Sequence, residues 1–239
     1  MFSVPTRWSL RMPSDTAAAA VTLTARALLL DMDGTLVDSD AAVERVWRGW
    51  AAEHGLDGDE VMKVVHGRQG YATMAELLPG RPMEVNIAEN RRLLAQETAD
   101  TEGVVPVPGA PAFLAAIEDV PHALVTSASA PLATARMAAA GLRMPRVRIT
   151  AESVGASKPH PEGFLKAAAE LGFEPGECVV FEDSGAGVEA GRAAGMRVVG
   201  VGPRAAAFSP TVHAPTLEHV RVEPGDGGAV RLRVVPAAV

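Results

Sequence analysis

The chain holds a single cysteine, Cys178, in 239 residues, which excludes an intrachain disulfide and any metal site built from several cysteines. Aromatic residues make up only 4%, so valine, leucine and alanine must fill most of the interior. There is no Lys/Arg tract, and the net charge is −7, which argues against a nucleic-acid or anionic-membrane surface. A local anion pocket stays compatible with that charge. No stretch reaches the roughly 20 apolar residues needed to span a bilayer. The first 24 residues lack the long apolar run of a secretory signal and read as a loose leader on a cytoplasmic protein. What is present is a composition of 48% hydrophobic and 21% charged residues, that of a globular chain. The length fits one large domain, or one domain carrying an insertion.

Short apolar runs at Ala25–Leu30, Ala123–Thr126, Cys178–Phe181 and Val198–Val201 have the character of buried parallel strands. Alanine-rich helical stretches separate them, at Ala110–Ile117, Ala130–Ala140, Pro161–Leu171 and Gly187–Ala194. This alternation predicts an α/β fold with a Rossmann-like parallel sheet. Residues 39–105 differ, because they contain no convincing strand. Val43, Val46, Trp47, Trp50, Ala51 and His54 share one helical face, with Ser39 or Asp40 as its cap and Gly55 as its end. Pro106, Pro108 and Gly109 mark the return to α/β character. The expected division is therefore a loose segment 1–24, an α/β core 25–38 plus 106–239, and an inserted all-helical cap 39–105. After Pro203 the tail has β-like pieces such as Arg231–Val235, which find no place in this scheme.

Asp31 and Asp33 follow the first strand two residues apart, so both carboxylates can face one pocket. Ligands in open α/β sheets bind at this carboxyl edge. Gly34 lets the backbone turn tightly and offer N–H groups to an anion. Two close carboxylates call for a cation between them, and a hard divalent ion such as Mg²⁺ suits oxygen donors. A second acidic pair, Glu182–Asp183, ends another strand, and convergence of both pairs on one sheet edge strengthens the metal reading. Thr126 and Ser127 end a third strand, where hydroxyls and the N–H groups of Ser127 and Ala128 form a phosphate cradle. Lys158, just ahead of a helix, can neutralise an anion brought to the aspartates. Taken singly, each feature has a plainer reading: a solvated acidic turn, a helix cap, a surface lysine.

Together these residues resemble the haloacid dehalogenase superfamily of phosphohydrolases. The motifs stand as Asp31-Met32-Asp33-Gly34-Thr35, Val125-Thr126-Ser127-Ala128-Ser129, Lys158-Pro159 and Glu182-Asp183-Ser184-Gly185, in the family's order and spacing over about Ala25–Gly202. The helical insertion is similar to the cap of the β-phosphoglucomutase-like branch. The resemblance implies that Asp31 is the nucleophile forming an aspartyl-phosphate. It implies that Asp33 protonates the leaving alkoxide and activates water, its backbone carbonyl binding Mg²⁺. Asp183, supported by Glu182, completes the metal site, while Lys158 and either Ser127 or Thr126 hold phosphoryl oxygens.

The stretches Asp38–Trp47 and His66-Gly67-Arg68 look like the branch that includes 2-deoxyglucose-6-phosphatases and glycerol-phosphate phosphatases. Gly67 would let a cap loop approach the substrate, and Arg68 or His66 could touch it; His66 is otherwise a solvated helix-end residue. Val43 stands where the mutase carries a histidine, which favours water as the acceptor. The expected activity is hydrolysis of a small sugar or polyol phosphate by a monomer or weak dimer. Its rivals are a β-phosphoglucomutase-like isomerase, a phospho-receiver domain, which would lack the insertion and Asp33, and a non-catalytic binding protein on the same scaffold. Gly185, Gly187 and Gly191 have the wrong spacing for a dinucleotide fingerprint and read as close helix–strand packing.

Overall fold

The structure is a computed structural model and describes residues 20–235. Its centre is a six-stranded parallel sheet of β2 (Ala27–Leu30), β5 (His122–Val125), β6 (Val147–Ile149), β7 (Cys178–Glu182), β8 (Arg197–Val201) and β9 (Val212–Ala214). The spatial order is β6-β5-β2-β7-β8-β9. In β2 successive side chains go to opposite faces: Leu28 and Leu30 join one core cluster, Ala27 and Leu29 the other. All four residues are fully buried, so no polar alternation is visible in the strand. Burying each leucine is worth about 1.5–3 kcal/mol.

Helices cover both faces: α5 (Ala110–Ala116), α6 (Ala130–Ala139), α7 (Glu162–Leu171), α8 (Gly185–Ala193) and the short α9 (Gly202–Ala205). The small residues expected to allow close packing do so. In α8, Gly191 lies against the side chains of Val198 and Val180, with no room for a Cβ.

Residues 37–38 (β3, Val37–Asp38) and 105–106 (β4, Val105–Pro106) pair antiparallel, bringing together the two ends of the intervening helical block. That block consists of α1 (Asp40–Glu53), α2 (Gly58–Met62), α3 (Gly70–Leu77) and α4 (Met83–Ala99). It packs its own apolar cluster, including Trp47, Trp50, Val61, Met74 and Leu93. The predicted α1 face holds: Val43, Trp47, Trp50 and Ala51 are buried on it.

Two local expectations fail. The run Ala25–Leu30 is not one strand: β1 (Val21–Ala25) ends before Arg26, and β2 begins after it. β1 pairs antiparallel with β11 (Val230–Val234), which pairs with β10 (Val220–Pro224), forming a separate three-stranded sheet. The tail pieces therefore belong with residues 21–25, of which 21–24 are strand where a loose leader was expected. The rest of that leader, residues 1–19, lies outside the described residues.

Candidate active site

Strands β2, β5 and β7 end at one edge of the sheet, and their following residues build the site. The ladder continues one residue past β2, since the Asp31 N–H donates to the Phe181 carbonyl at 3.0 Å. The chain then turns sharply. The Met32 carbonyl accepts from the N–H groups of Leu36 (2.8 Å) and Val37 (2.9 Å), and Gly34 adopts φ +80°. A Cβ at Gly34 would overlap the Asp183 carboxylate, so glycine here serves both the turn and the close approach of β7's end.

Asp31, Glu182 and Asp183 bring one carboxylate oxygen each to within 4.8 Å of one another, all three being buried. Lys158 Nζ donates to Asp31 Oδ1 and Glu182 Oε1, both at 2.6 Å, and to the Val125 carbonyl at 3.1 Å. Burial opposes the lysine charge, but Asp31 and Glu182 outweigh it and raise the pKa above the ordinary lysine value. Burial and then the Glu182 charge push Asp31 well above the usual carboxylate range, against the pull of Lys158. The same two causes raise Asp183 to about 7, against Arg204. The three carboxylates share two cations, Lys158 and Arg204, so the cluster is one positive charge short.

The donor set fits a divalent cation. Glu182 is fully engaged, its Oε2 accepting from the Ser184 N–H (2.8 Å) and hydroxyl (3.0 Å). Asp183 Oδ2 accepts from Arg204 Nε (2.9 Å) and Nη2 (2.7 Å). Asp31 Oδ2 and Asp183 Oδ1 accept nothing among the described residues, leaving two hard oxygen donors for an ion.

Asp33 is placed differently from the expectation that both aspartates gather with the acidic pair. Its side chain is outside the three-carboxylate cluster. Oδ1 accepts from the Ser39 hydroxyl at 2.7 Å, and Oδ2 pairs with Arg136 Nη1 at 2.9 Å. Ser39 is the residue read as a helix cap; it does precede α1, but its hydroxyl is spent on Asp33 and caps nothing. Asp31 and Asp33 nevertheless line the same cavity of about 80 Å³, together with Val43, Trp47, His66, Gly67, Arg68, Thr126, Ser127, Ala128 and Arg136.

The residues expected to form a phosphate cradle, Thr126, Ser127 and Ala128, lie at the end of β5 beside that cavity. The Ala128 N–H donates to Thr126 Oγ1 at 3.0 Å, so that pair satisfies itself. Ser127 Oγ donates to the Gly67 carbonyl at 3.1 Å, tying the end of β5 to the helical block. The 66–69 loop is held further by Gln69, whose backbone N–H donates to Ser157 Oγ (2.9 Å) and whose side chain donates to the Ala151 carbonyl (3.2 Å). Gly67 has φ +83°, and a Cβ on it would overlap Ser184. Arg68 pairs with Glu76 of its own block. His66 is pushed below its ordinary pKa, by burial first and then by Arg204.

Reading the sequence missed Arg136, Glu97 and Arg204. Arg136 Nη2 donates to Glu97 Oε2 of α4 at 3.2 Å, and both side chains are buried. Burial, opposed by Arg136, raises Glu97 to about 7. Arg204 joins Asp183 to Asp40 at the start of α1, with Nη1–Oδ2 at 2.7 Å. The one available signal was a lone arginine within the otherwise small and apolar stretch Ala130–Ala140. A larger groove of about 850 Å³ lies at the opposite end of β5 and β6, away from these residues.

Residues 25–195 match the haloacid dehalogenase-like hydrolase family. The chain belongs to the haloacid dehalogenase-like hydrolases. Among relatives in this family, hexitol phosphatase A of Escherichia coli is 45% identical over 178 residues, covering 74% of this chain and 82% of that protein. Glycerol-1-phosphate phosphohydrolase 2 of Saccharomyces cerevisiae is 32% identical over 192 residues, 76% of each chain. The solved β-phosphoglucomutase of Clostridium difficile shares the fold at a TM-score of 0.69 and 20% identity, over 82% of this chain and 93% of that one. Haloacid dehalogenase-like hydrolases generally use a divalent metal, and the carboxylate cluster is a suitable holder for one.

Proposed function

We propose that this hydrolase is a Mg²⁺-dependent phosphatase of small sugar or polyol phosphates, acting through an aspartyl-phosphate on Asp31. The observation that carries the reading is the state of Asp31. It is buried at the sheet edge, fixed through Oδ1 by Lys158, and has its other oxygen free beside a cavity. Asp31, Asp183 and the Asp33 backbone carbonyl would hold Mg²⁺, with Glu182 in support. When bound, the ion supplies charge neutralisation for the transferring phosphoryl group.

A carboxylate oxygen of Asp31 attacks phosphorus, and the bond from phosphorus to the ester oxygen breaks with its electron pair going to the leaving alkoxide. Asp33 gives that oxygen a proton. Water then attacks the aspartyl-phosphate while Asp33 takes its proton back, releasing phosphate and free Asp31. Lys158 and Ser127 hold phosphoryl oxygens, so that little reorganisation accompanies transfer.

The polyol class follows from the relatives, whose names specify hexitol and glycerol phosphates. The cavity beside Asp31 lies between the helical block and the core and is lined from both, by His66, Gly67 and Arg68 on one side and Thr126, Ser127 and Ala128 on the other. Residues 39–105 thus act as a cap on the core of 25–38 and 106–239. Val43 lines the cavity and offers no proton-handling group, which supports water over a second sugar hydroxyl as acceptor. Phosphate release from a panel of hexitol, glycerol and sugar phosphates with Mg²⁺ tests this. Turnover that needs Mg²⁺ and vanishes in Asp31→Asn supports it, and isomerisation without phosphate release overturns it.

A further inference from the structure

Arg136 is an expensive residue in its position. Its side chain is 4% exposed, and its Nε is buried with no hydrogen-bond partner among the described residues. Removing a guanidinium from water costs several kcal/mol, and a well-packed apolar side chain at such a place is often at least as stabilising. Stability is therefore a poor account of it. Its contacts are specific: Asp33 on the core and Glu97 in the last turn and a half of α4. The other oxygen of Asp33 is held by Ser39, immediately before α1. The orientation of Asp33 thus depends on groups at both ends of the helical block, residues 39 and 97, which enters and leaves the core through the β3–β4 pair.

We infer that Arg136 is a positioning residue for Asp33, tied through Glu97 to the seating of α1–α4, so that Asp33 is aimed at the leaving oxygen only when the block is docked. The inference rests on the role of Asp33 proposed above. Arg136 acts on the departure of the leaving group, not on the attack by Asp31. Loss of Arg136 therefore penalises esters whose alkoxide needs a proton and spares those whose leaving group departs unprotonated.

The experiment compares kcat/KM for glycerol 1-phosphate, or the fastest polyol phosphate of the panel, with kcat/KM for acetyl phosphate, whose carboxylate leaving group needs no proton. Because kcat/KM extends only through the first irreversible step, the shared hydrolysis of the aspartyl-phosphate does not blur the comparison. Positioned acid catalysis contributes on the order of 10²–10⁴-fold. Arg136→Met is expected to lower the polyol-to-acetyl-phosphate ratio by at least about 30-fold, with Arg136→Lys restoring part of it and Glu97→Gln moving it the same way by less. A ratio that stays within about threefold while both rates fall together overturns the inference, because a structural role moves both substrates alike. If Arg136→Met does not fold, Glu97→Gln and Arg136→Lys are read on the same ratio, and no change in either is the overturning result. Asp31→Asn separates the two levels: turnover surviving in that variant refutes the nucleophile, whatever Arg136 does.

Discussion

Glu97→Gln separates burial from charge attraction at the junction between α4 and the core. Glu97 is 7% exposed and its carboxyl rises from 4.5 to about 7, chiefly through burial, with Asp33 adding to the rise and Arg136 and Trp47 opposing it. The folded-state value lies above the unfolded one. Neutral Glu97 therefore contributes stability that is fully present below about pH 4.5 and is lost as pH climbs through 7. At about 1.4 kcal/mol per pH unit, this rise corresponds to about 3 kcal/mol. Glutamine does not titrate, so the variant's stability relative to the natural protein should increase by about 3 kcal/mol between pH 4.5 and 7.5 and then level off. Urea unfolding of both proteins at constant ionic strength and without divalent metal, in half-unit pH steps, measures it. A flat difference refutes the reasoning. A falling difference shows that attraction to Arg136 outweighs burial, and the Arg136–Glu97 pair is then an ordinary stabilising ion pair.

Two further perturbations address the cluster and the loop. Lys158→Met leaves Asp31 and Glu182 facing each other without their buried cation, and breaking such a pair costs about 3–5 kcal/mol. Thermal unfolding at pH 7 should show this loss, with Mg²⁺ recovering part of it; a melting temperature equal to that of the natural protein contradicts the charge accounting. Gly67→Ala forces an alanine into φ +83°, at about 1–2 kcal/mol, and drives its Cβ into Ser184. The loop can no longer seat against Ser127, and KM for a polyol phosphate should rise about tenfold. An unchanged KM means the 66–69 loop does not close over substrate.

The parts of the site that were legible in the sequence are those where chemistry follows a strand directly. Asp31, Thr126 and Glu182–Asp183 each come at the end of an apolar run, and parallel pairing of β2 with β5 and β7 brings them to one edge without further information. Lys158 joins them because the loop before α7 crosses that same edge. The illegible parts depend on pairings between distant residues. Glu97 and Arg136 are 39 positions apart, and each alone looks like a solvated charge on a helix; only docking of α4 on α6 buries them together. Ser39 precedes a helix, where a cap is the commoner use, and its proximity to Asp33 arises from the turn at Gly34. The outer sheet joins the two ends of the described chain, Val21 opposite Val234, a pairing to which no local pattern points. The break at Arg26 has the same origin, because Ala25 is claimed by β11 and Ala27 by β7.

The central claim is that the phosphoryl group passes through Asp31. Acid quench during steady turnover of a polyol phosphate with Mg²⁺, followed by peptide mass analysis, tests it most directly. Transfer through Asp31 leaves the mass of one phosphoryl group on the peptide carrying Asp31, and Asp31→Asn lacks it and loses phosphate release on the order of 10³-fold or more. Phosphoryl found on another residue, or an Asp31→Asn variant that still releases phosphate, would contradict it.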